Sequence, residues 1–242
     1  NEALKHAASR SHASVKISWI DTELIEEEPE RRKDLLNYDG ILATPGFGER
    51  GVEGMIQTAQ TSLELGIPYL GICYGAQILF VSFCRSVLGL EKANSTEVDP
   101  CTPFPAVDLL PEQRSMDDKG GTMRLGGHVV KIVKGTKLYD AYGKESVTER
   151  FRHRYHLTSE YVAKAEKRGL TVSAYDETGK IINAIEVKGD PWILGVQFHP
   201  EFTSRPDSPN PLYLAFIRAA LKWKDGGKKV RPFKPTEVSP RK

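Results

Sequence analysis

The sequence contains few cysteines, and their arrangement excludes several classes of protein. Only three occur in 242 residues, Cys73, Cys84 and Cys101, and none belongs to a Cys-x-x-Cys pair. An odd number of cysteines without this spacing argues against a disulfide framework and against a zinc site. No apolar run approaches the length of a membrane span, and no signal-peptide pattern opens the sequence. We therefore expect a reducing, cytoplasmic setting and no membrane partner.

The sequence also lacks an excess of charge of either sign. Its 34 Lys and Arg residues nearly balance its 32 Asp and Glu residues, and the formal net charge is +2. This balance gives no basis for a nucleic-acid-binding surface. A phosphate-binding glycine loop with its lysine is absent, and the six histidines show no metal-ligand pattern. We therefore expect neither a bound cofactor nor a metal in this chain.

The most informative segment surrounds Cys73. Residues 69–77 read Tyr-Leu-Gly-Ile-Cys-Tyr-Gly-Ala-Gln, which is the pattern of a buried strand entering a glycine-flanked turn and then a helix. Such a turn lifts a nucleophile clear of the sheet, and the positive end of the helix dipole favours the thiolate. The pattern predicts a catalytic cysteine. The alternative is a small buried side chain, the commoner state of a free cysteine.

A second segment supplies a candidate base. His199 and Glu201 follow an apolar run, Trp192 to Phe198, that is predicted to be a strand. In an extended chain, residues two apart point to the same side, so the Glu201 carboxylate can hold the His199 imidazole by one nitrogen. The other nitrogen is then free to take a thiol proton. The alternative for His-Pro-Glu alone is a strand-end turn with a solvated carboxylate.

Both motifs resemble those of the class I (triad) glutamine amidotransferases, whose glutaminase domains use cysteine, histidine and glutamate. The resemblance is most specific to the CTP synthase family and covers nearly all of the chain. The segments are 1–6 (Asn-Glu-Ala-Leu-Lys-His), 48–54 (Gly-Glu-Arg-Gly-Val-Glu-Gly), 93–97 (Ala-Asn-Ser-Thr-Glu), 121–126 (Gly-Thr-Met-Arg-Leu-Gly), 152–155 (Arg-His-Arg-Tyr) and 198–204 (Phe-His-Pro-Glu-Phe-Thr-Ser).

Short apolar strands alternate with helical stretches, which predicts an α/β fold with a mostly parallel sheet covered on both faces. The resemblance implies the class I glutamine amidotransferase-like (flavodoxin-like) form of this fold, with a small antiparallel sheet extension. We expect one glutaminase domain over residues 1–224 and a basic flexible tail over residues 225–242. In the resembling family a sheet strand and an ATP-dependent synthetase domain lie upstream, so we interpret the chain as a glutaminase half.

Individual elements can also be predicted from the apolar periodicity. The predicted strands are Val15 to Ile20, Gly40 to Thr44, Pro68 to Ile72, Thr171 to Tyr175, Ile181 to Val187 and Trp192 to Phe198. The predicted helices are one at the first residues, one from Val52 to Leu63, one from Ala76 to Leu88 and one from Pro211 to Trp223. The last three strands are expected to be antiparallel. The region 91–154 is expected to be less regular, with only short strands.

The resemblance implies a role for each catalytic residue. Cys73 attacks the side-chain carboxamide of glutamine, and a thioester forms as ammonia leaves. His199 takes the thiol proton and returns one to the leaving nitrogen, while Glu201 orients His199. The backbone N–H groups of Gly46 and Tyr74 match the two donors that would stabilise the oxyanion.

The resemblance also implies a set of substrate-binding residues. Gln77, Glu97 and Arg154 match the glutamine-binding positions of the family, together with Gly46 and Tyr74. Glu97 suits the substrate ammonium, and the Arg154 guanidinium suits the carboxylate. The alternatives are an ordinary helix amide, a loop acid and a surface ion pair.

Three positions depart from the family pattern. Residues 44–48 read Thr-Pro-Gly-Phe-Gly where the family has Pro-Gly-Gly-Phe-Gly, so Pro45 removes one N–H while Gly46 keeps its own. The resulting Pro-Gly-Phe-Gly is similar to the oxyanion strand of the glutaminase subunit of imidazole glycerol phosphate synthase. Tyr74 replaces a leucine and Ala76 a methionine. The Tyr74 ring is expected to lie close to the substrate or to the ammonia exit.

The partners follow from the same resemblance. L-Glutamine is the expected substrate, and a CTP synthase amidoligase domain is the expected partner, which would use ATP and Mg to aminate UTP. GTP is the expected allosteric activator, with Arg50 a candidate contact, and the full-length enzyme is expected to be a homotetramer. Two alternatives remain open: hydrolysis of another γ-glutamyl substrate, and a non-catalytic glutaminase-like module retained for assembly or regulation.

Overall fold

A seven-stranded sheet with helices packed against it forms the body of the computed structural model, which describes residues 1–110 and 123–237. The described helices are α1 (Glu2–Arg10), α2 (Thr22–Glu27), α3 (Val52–Leu65), α4 (Tyr74–Ser86), α5 (Lys137–Tyr142), α6 (Ser159–Glu166) and α7 (Pro211–Asp225), with 3-10 helices at Pro29–Asn37 and Pro200–Phe202. The described strands are β1 (Ile41–Ala43), β2 (Tyr69–Ile72), β3 (Ala93–Ser95), β4 (Phe104–Asp108), β5 (Arg124–Ile132), β6 (Ser146–His153), β7 (His156–Leu157), β8 (Leu170–Tyr175), β9 (Ile182–Val187) and β10 (Ile193–Val196).

The large sheet has the order β1-β2-β10-β9-β8-β5-β6. Strands β1, β2 and β10 run parallel, and every later neighbour pair is antiparallel. A second sheet joins β3, β4 and β7. The predicted α/β fold of the class I amidotransferase type is confirmed. The antiparallel part is larger than expected, because it extends through β9, β8, β5 and β6.

Strand β2 shows how the sheet is buried on both faces. Tyr69 belongs to a core cluster with residues of α3 and α4, whereas Leu70 and Ile72 belong to a cluster with residues of α1 and α7. Side chains alternate across a strand, so neighbouring residues face opposite layers. An all-apolar strand such as β2 is the expected form of a parallel strand with helices on both sides.

The elements that carry the site agree with the sequence prediction. β1, β2 and the helices α1, α3, α4 and α7 lie where apolar periodicity placed them. The three last predicted strands correspond to β8, β9 and β10, and Gly179 forms the turn between β8 and β9 with a φ of 73°. β10 is antiparallel to β9 but parallel to β2, so it joins the two parts of the sheet.

Two predictions for other segments were wrong. Val15 to Ile20 forms no regular strand, because it pairs with none of the described strands, and Trp19 is 74% exposed. The region 91–154 contains a long hairpin of β5 and β6, paired from Arg124–His153 to Lys131–Ser146. The buried side of β6 carries Glu149 and His153 as well as Phe151, so no apolar period marks the strand in the sequence. Residues 121 and 122, in the motif at 121–126, lie outside the described residues.

The tail over residues 225–242 was predicted to be flexible, but its described part, up to residue 237, packs against the domain. The Arg231 N–H donates to Leu65 O at 3.0 Å, and the Phe233 N–H donates to Leu63 O at 2.7 Å. The Phe233 ring is 9% exposed and lies 5.6 Å, centroid to centroid, from the Phe83 ring. Residues 228–237 are therefore held against the domain, although their composition predicted a flexible terminus. In the described residues, no helix is long and apolar enough to cross a membrane.

Truncation of Phe233 tests how firmly this segment is held. We expect Phe233→Ala to lower the free energy of unfolding by about 3 kcal/mol, because it removes a buried ring and leaves a cavity. The matched control is Val230→Ala, since Val230 lies on the same segment but is 52% exposed. Urea unfolding monitored by circular dichroism gives both values. Equal midpoints for the two variants would show that the segment contributes nothing to the core.

Candidate active site

Cys73 lies at the apex of a strained turn between β2 and α4. Its backbone has φ 53° and ψ −100°, a left-handed value that is rare outside glycine. The turn needs small neighbours: a Cβ on Gly71 would lie 2.4 Å from Gly75 O, and a Cβ on Gly75 would lie 2.4 Å from Ala43 O. The predicted elbow is therefore present. Its backbone geometry, once formed, presents the thiol at the carboxyl end of the parallel strands.

His199 and Glu201 form the predicted pair. His199 Nδ1 and Glu201 Oε1 are 2.7 Å apart, and the Phe202 ring stacks on the imidazole at 5.3 Å between centroids. The His199 N–H donates to Arg150 O at 2.8 Å, which ties this segment to β6. His199 Nε2 is buried and has no hydrogen-bond partner in the described part of the chain. One nitrogen is thus fixed and the other is open for proton transfer.

Sheet pairing brings the thiol and the imidazole to the same edge. β2 and β10 are adjacent parallel strands with Ile72 opposite Val196, and the Cys73 N–H donates to Val196 O at 2.7 Å. Cys73 follows one strand directly, and His199 follows the other by three residues. The two side chains are not hydrogen-bonded to each other. The Cys73 thiol instead has Arg152 O as its acceptor, at 3.7 Å.

The resting thiol is protonated. The pKa of Cys73 is raised to about 12, mainly by burial; the Tyr74 N–H acts to lower it, and the Glu201 and Glu97 carboxylates act to raise it. The helix dipole alone would favour the thiolate, as predicted from the sequence, but here the effect of burial exceeds that of the helix N-terminus. Deprotonation of this thiol therefore requires a base.

The loop after β1 lies against the Tyr74 side chain. A Cβ on Gly46 would lie 3.3 Å from Tyr74 Cδ1, and the Tyr74 hydroxyl donates to Gly48 O at 2.5 Å. The Tyr74 N–H lies close enough to the Cys73 thiol to lower its pKa. Phe47, between the two glycines, is 86% exposed. The two predicted oxyanion residues are therefore in contact through the Tyr74 ring.

Two of the predicted substrate-binding residues interact through their charges. Burial raises the pKa of the Glu97 carboxyl, while a hydrogen bond from the Gly48 N–H and the charge of Arg154 lower it. Arg154 Nε is buried without a hydrogen-bond partner in the described residues. Gln77 is more enclosed: its amide donates to Tyr155 O at 3.2 Å and to Gln197 Oε1 at 3.4 Å. Gln77 is therefore suited to supporting the wall of the site.

Sequence reasoning missed Gln197, which supports the elbow from β10. Its amide donates to Cys73 O at 3.1 Å, and the side chain is fully buried. The available signal in the sequence was a single polar residue inside an apolar run, between Val196 and Phe198. A buried amide within an apolar strand needs a partner, and the backbone of the strained turn provides it.

A second missed group is centred on Glu149. Its carboxylate accepts hydrogen bonds from the Tyr142 hydroxyl at 2.7 Å, from Thr203 Oγ1 at 3.0 Å and from Asn210 Nδ2 at 3.0 Å. Thr203 Oγ1 also donates to Pro200 O at 3.1 Å. These bonds anchor the 3-10 turn that carries Glu201, so they fix the carboxylate that holds His199.

Comparison with known proteins agrees with this geometry. The family model for class I glutamine amidotransferases matches residues 1–219. The chain belongs to this family. Within it, the chain is 49% identical over 225 residues to the CTP synthase of Pelotomaculum thermopropionicum and 46% identical over 223 residues to that of Archaeoglobus fulgidus. These matches cover 93% and 92% of this chain, and 42% and 41% of the relatives.

A solved structure gives the same result. The glutaminase domain of Trypanosoma brucei CTPS with bound acivicin superposes with a TM-score of 0.84 at 33% identity, covering 98% of this chain and 90% of that one. The predicted resemblance to the CTP synthase family is confirmed. The chain spans about two fifths of the length of the curated relatives it matches, which is the part that corresponds to a glutaminase domain.

The close contacts at the elbow predict a strong effect of one methyl group. We expect Gly75→Ala to lower the free energy of unfolding by about 1–3 kcal/mol, because the new Cβ would meet the backbone oxygen of Ala43. The matched control is Gly127→Ala on β5, where the nearest atom to a new Cβ is Thr148 Cγ2 at 3.5 Å. Urea midpoints measure both. A Gly75→Ala protein as stable as the control would contradict this account of the turn.

A buried histidine pair beside Arg154 predicts a dependence of stability on pH. The His153 and His156 rings are 4.7 Å apart, and burial lowers both pKa values, that of His156 from 6.5 to about 4. The unfolded chain therefore binds protons that the folded chain rejects. Stability is full above about pH 6.5 and falls towards pH 4, by about 3 kcal/mol for His156 alone.

Urea unfolding at about pH 7.5 and at about pH 4.5 measures this loss. We expect His156→Asn to reduce the difference between the two pH values, because asparagine does not titrate. His12→Asn serves as the control, since His12 is exposed and has a φ of 51°, which asparagine tolerates. An unchanged pH difference in His156→Asn would show that other groups cause the acid sensitivity.

Proposed function

We propose that this domain hydrolyses L-glutamine to glutamate and ammonia, with Cys73 as the nucleophile. The observation that carries the proposal is the placement of Cys73 and His199 at the carboxyl ends of the adjacent parallel strands β2 and β10. Glu201 holds Nδ1 of the imidazole and leaves Nε2 open beside the thiol-bearing turn. A positioned base with an oriented tautomer is what a buried thiol of pKa about 12 requires.

The reaction divides into two steps at the thiol. In the first, His199 Nε2 accepts the Cys73 proton while sulfur bonds to the carboxamide carbon, giving a tetrahedral intermediate. His199 then returns the proton to the amide nitrogen, the C–N bond breaks, ammonia leaves and a thioester remains. In the second, a water loses a proton to His199 and attacks the thioester, the C–S bond breaks, and the sulfur regains its proton.

Two N–H groups and one charge pair complete this assignment. The Tyr74 N–H lies near the sulfur, and together with the Gly46 N–H it would stabilise the negative oxygen of the intermediate. Glu97 would bind the substrate ammonium and Arg154 its carboxylate, which places opposite charges at the two ends of the amino-acid group. Gln77 would support the pocket wall and contact the substrate. The buried environment strengthens each of these interactions.

The whole enzyme would use the released ammonia. The relatives are CTP synthases, so the partner we assign is an amidoligase domain that aminates UTP to CTP with ATP and Mg. GTP would act as an allosteric activator at the junction, and the complete cytoplasmic enzyme would be a homotetramer. The exposed side chains of Phe47 and Arg50 lie on the oxyanion loop and directly after it, and they suit contact with that partner. No ATP, GTP or Mg chemistry is assigned to the present chain.

The proposal predicts that ammonia release from glutamine depends on one of three cysteines. We expect slow release by the domain alone and a loss of roughly 10⁴-fold or more in Cys73→Ala, because the thioester cannot form. Cys101→Ser is the control, since Cys101 is the exposed cysteine and lies outside the site. A coupled glutamate dehydrogenase assay measures the ammonia.

Covalent labelling separates catalysis from a purely structural role. A glutamine-mimicking diazo ketone should label Cys73 selectively over Cys84 and Cys101, because the residues proposed to bind an amino acid surround Cys73 alone of the three. Mass spectrometry of the cysteine-containing peptides gives the ratio. Equal labelling of the three thiols, or none at Cys73, would favour the alternative of a non-catalytic assembly module.

A further inference from the structure

Gly48, two residues after the predicted oxyanion residue Gly46, is held from two sides. The Tyr74 hydroxyl donates to Gly48 O at 2.5 Å, and the Gly48 N–H lies close enough to the Glu97 carboxyl to lower its pKa. Gly48 has a φ of 80°, and a Cβ there would meet nothing within 4 Å. The glycine is therefore required by its backbone angle, because the surrounding space would admit a side chain. These two contacts restrain its backbone from both sides.

The Tyr74 ring reaches the loop at a second point. Tyr74 is 3% exposed, and its Cδ1 lies 3.3 Å from where a Gly46 Cβ would be. Upstream, Pro45 fixes its own φ and so limits the loop from the other end. Gly46 thus lies between the rigid Pro45 and Gly48, whose backbone is restrained by two contacts. A glycine-containing loop without such restraints would sample many backbone angles.

The hydroxyl keeps its donor role over the working pH range. Burial raises the pKa of Tyr74 well above that of an ordinary phenol, and the Glu97 charge raises it further. Tyr74 stands where the resembling family has leucine, whose side chain has no donor. The contact with Gly48 O is therefore a property of this chain and cannot be carried over from the family pattern.

We propose that the Tyr74 side chain is a positioning residue of the glutaminase: with Glu97 it fixes Gly48 and so holds the Gly46 N–H in its oxyanion-binding orientation. This inference rests on the proposed glutamine hydrolysis. Preorganised donors are effective because they need not reorient as charge develops on the substrate oxygen. Tyr74 then acts twice, through its backbone N–H on the oxyanion and through its hydroxyl on the loop that carries the other donor.

The variant Tyr74→Phe tests the role of the hydroxyl, since it keeps the ring and the backbone N–H. We expect kcat for glutamine to fall about tenfold, the equivalent of one hydrogen bond, with KM changed by less than about twofold. Tyr175→Phe on β8 is the matched control, because it removes a tyrosine hydroxyl outside the site. An unchanged kcat in Tyr74→Phe would overturn the inference.

A second readout distinguishes loop positioning from general damage to the site. Alkylation of Cys73 by iodoacetamide displaces iodide at carbon and creates no oxyanion, so its rate should be the same in Tyr74→Phe and in the parent protein. The comparison is made in a Cys101→Ser background, with the Cys73 peptide followed by mass spectrometry. Parallel losses in alkylation and in glutamine hydrolysis would overturn the inference, because they would indicate a displaced thiol.

The two proposals fail in different ways. If the parent protein and Tyr74→Phe both release no ammonia from glutamine, the proposed function itself is wrong. If both release ammonia at the same rate, hydrolysis stands and the role of the tyrosine hydroxyl does not. A lower kcat with an unchanged alkylation rate supports both.

Discussion

Close backbone packing between β2, β10 and the start of α4 is the constraint on which the site depends. Gly71, Gly75 and Gly195 leave room for this approach, and a Cβ on Gly195 would lie 2.9 Å from Ala76 Cα. The approach lets α4 begin directly after β2, so that Cys73 takes the apex of the turn. Parallel pairing then sets His199 at the same edge. The placement of Cys73 and His199 at one edge therefore depends on glycines that let β2, β10 and α4 approach closely.

Electrostatics in the pocket follow from burial. The thiol stays neutral because its surroundings disfavour the thiolate, and the carboxylates of Glu201 and Glu97 act in the same direction. Each carboxylate has its own stabilising neighbour, the imidazole of His199 for one and the Gly48 N–H with Arg154 for the other. Without substrate, the thiol is therefore neutral and each of the two carboxylates has a stabilising neighbour. A substrate that brings its own ammonium and carboxylate would complete the balance.

Much of this arrangement could be predicted from the sequence because the informative patterns are local. The glycine-flanked Cys73 turn and the His199–Glu201 pair are read from adjacent residues, and both are present in the structure. The Val15–Ile20 segment could not be read in this way, since a strand exists only where a neighbour pairs with it. The thiol pKa and the bonds of Gln197 and Glu149 depend on residues distant in the chain. Periodicity and propensity carry no information on such contacts.

Cys73 has a left-handed backbone conformation, so a reactive side chain at this position comes with backbone strain. A non-glycine residue in that region typically carries a cost of order 1–3 kcal/mol, which packing elsewhere must offset. Glycine would adopt the same angles without that cost but would have no sulfur. The residue with the least backbone strain at position 73 would therefore have no reactive side chain. Under the proposed function, selection for reactivity, and not for thermal stability, would keep a thiol there.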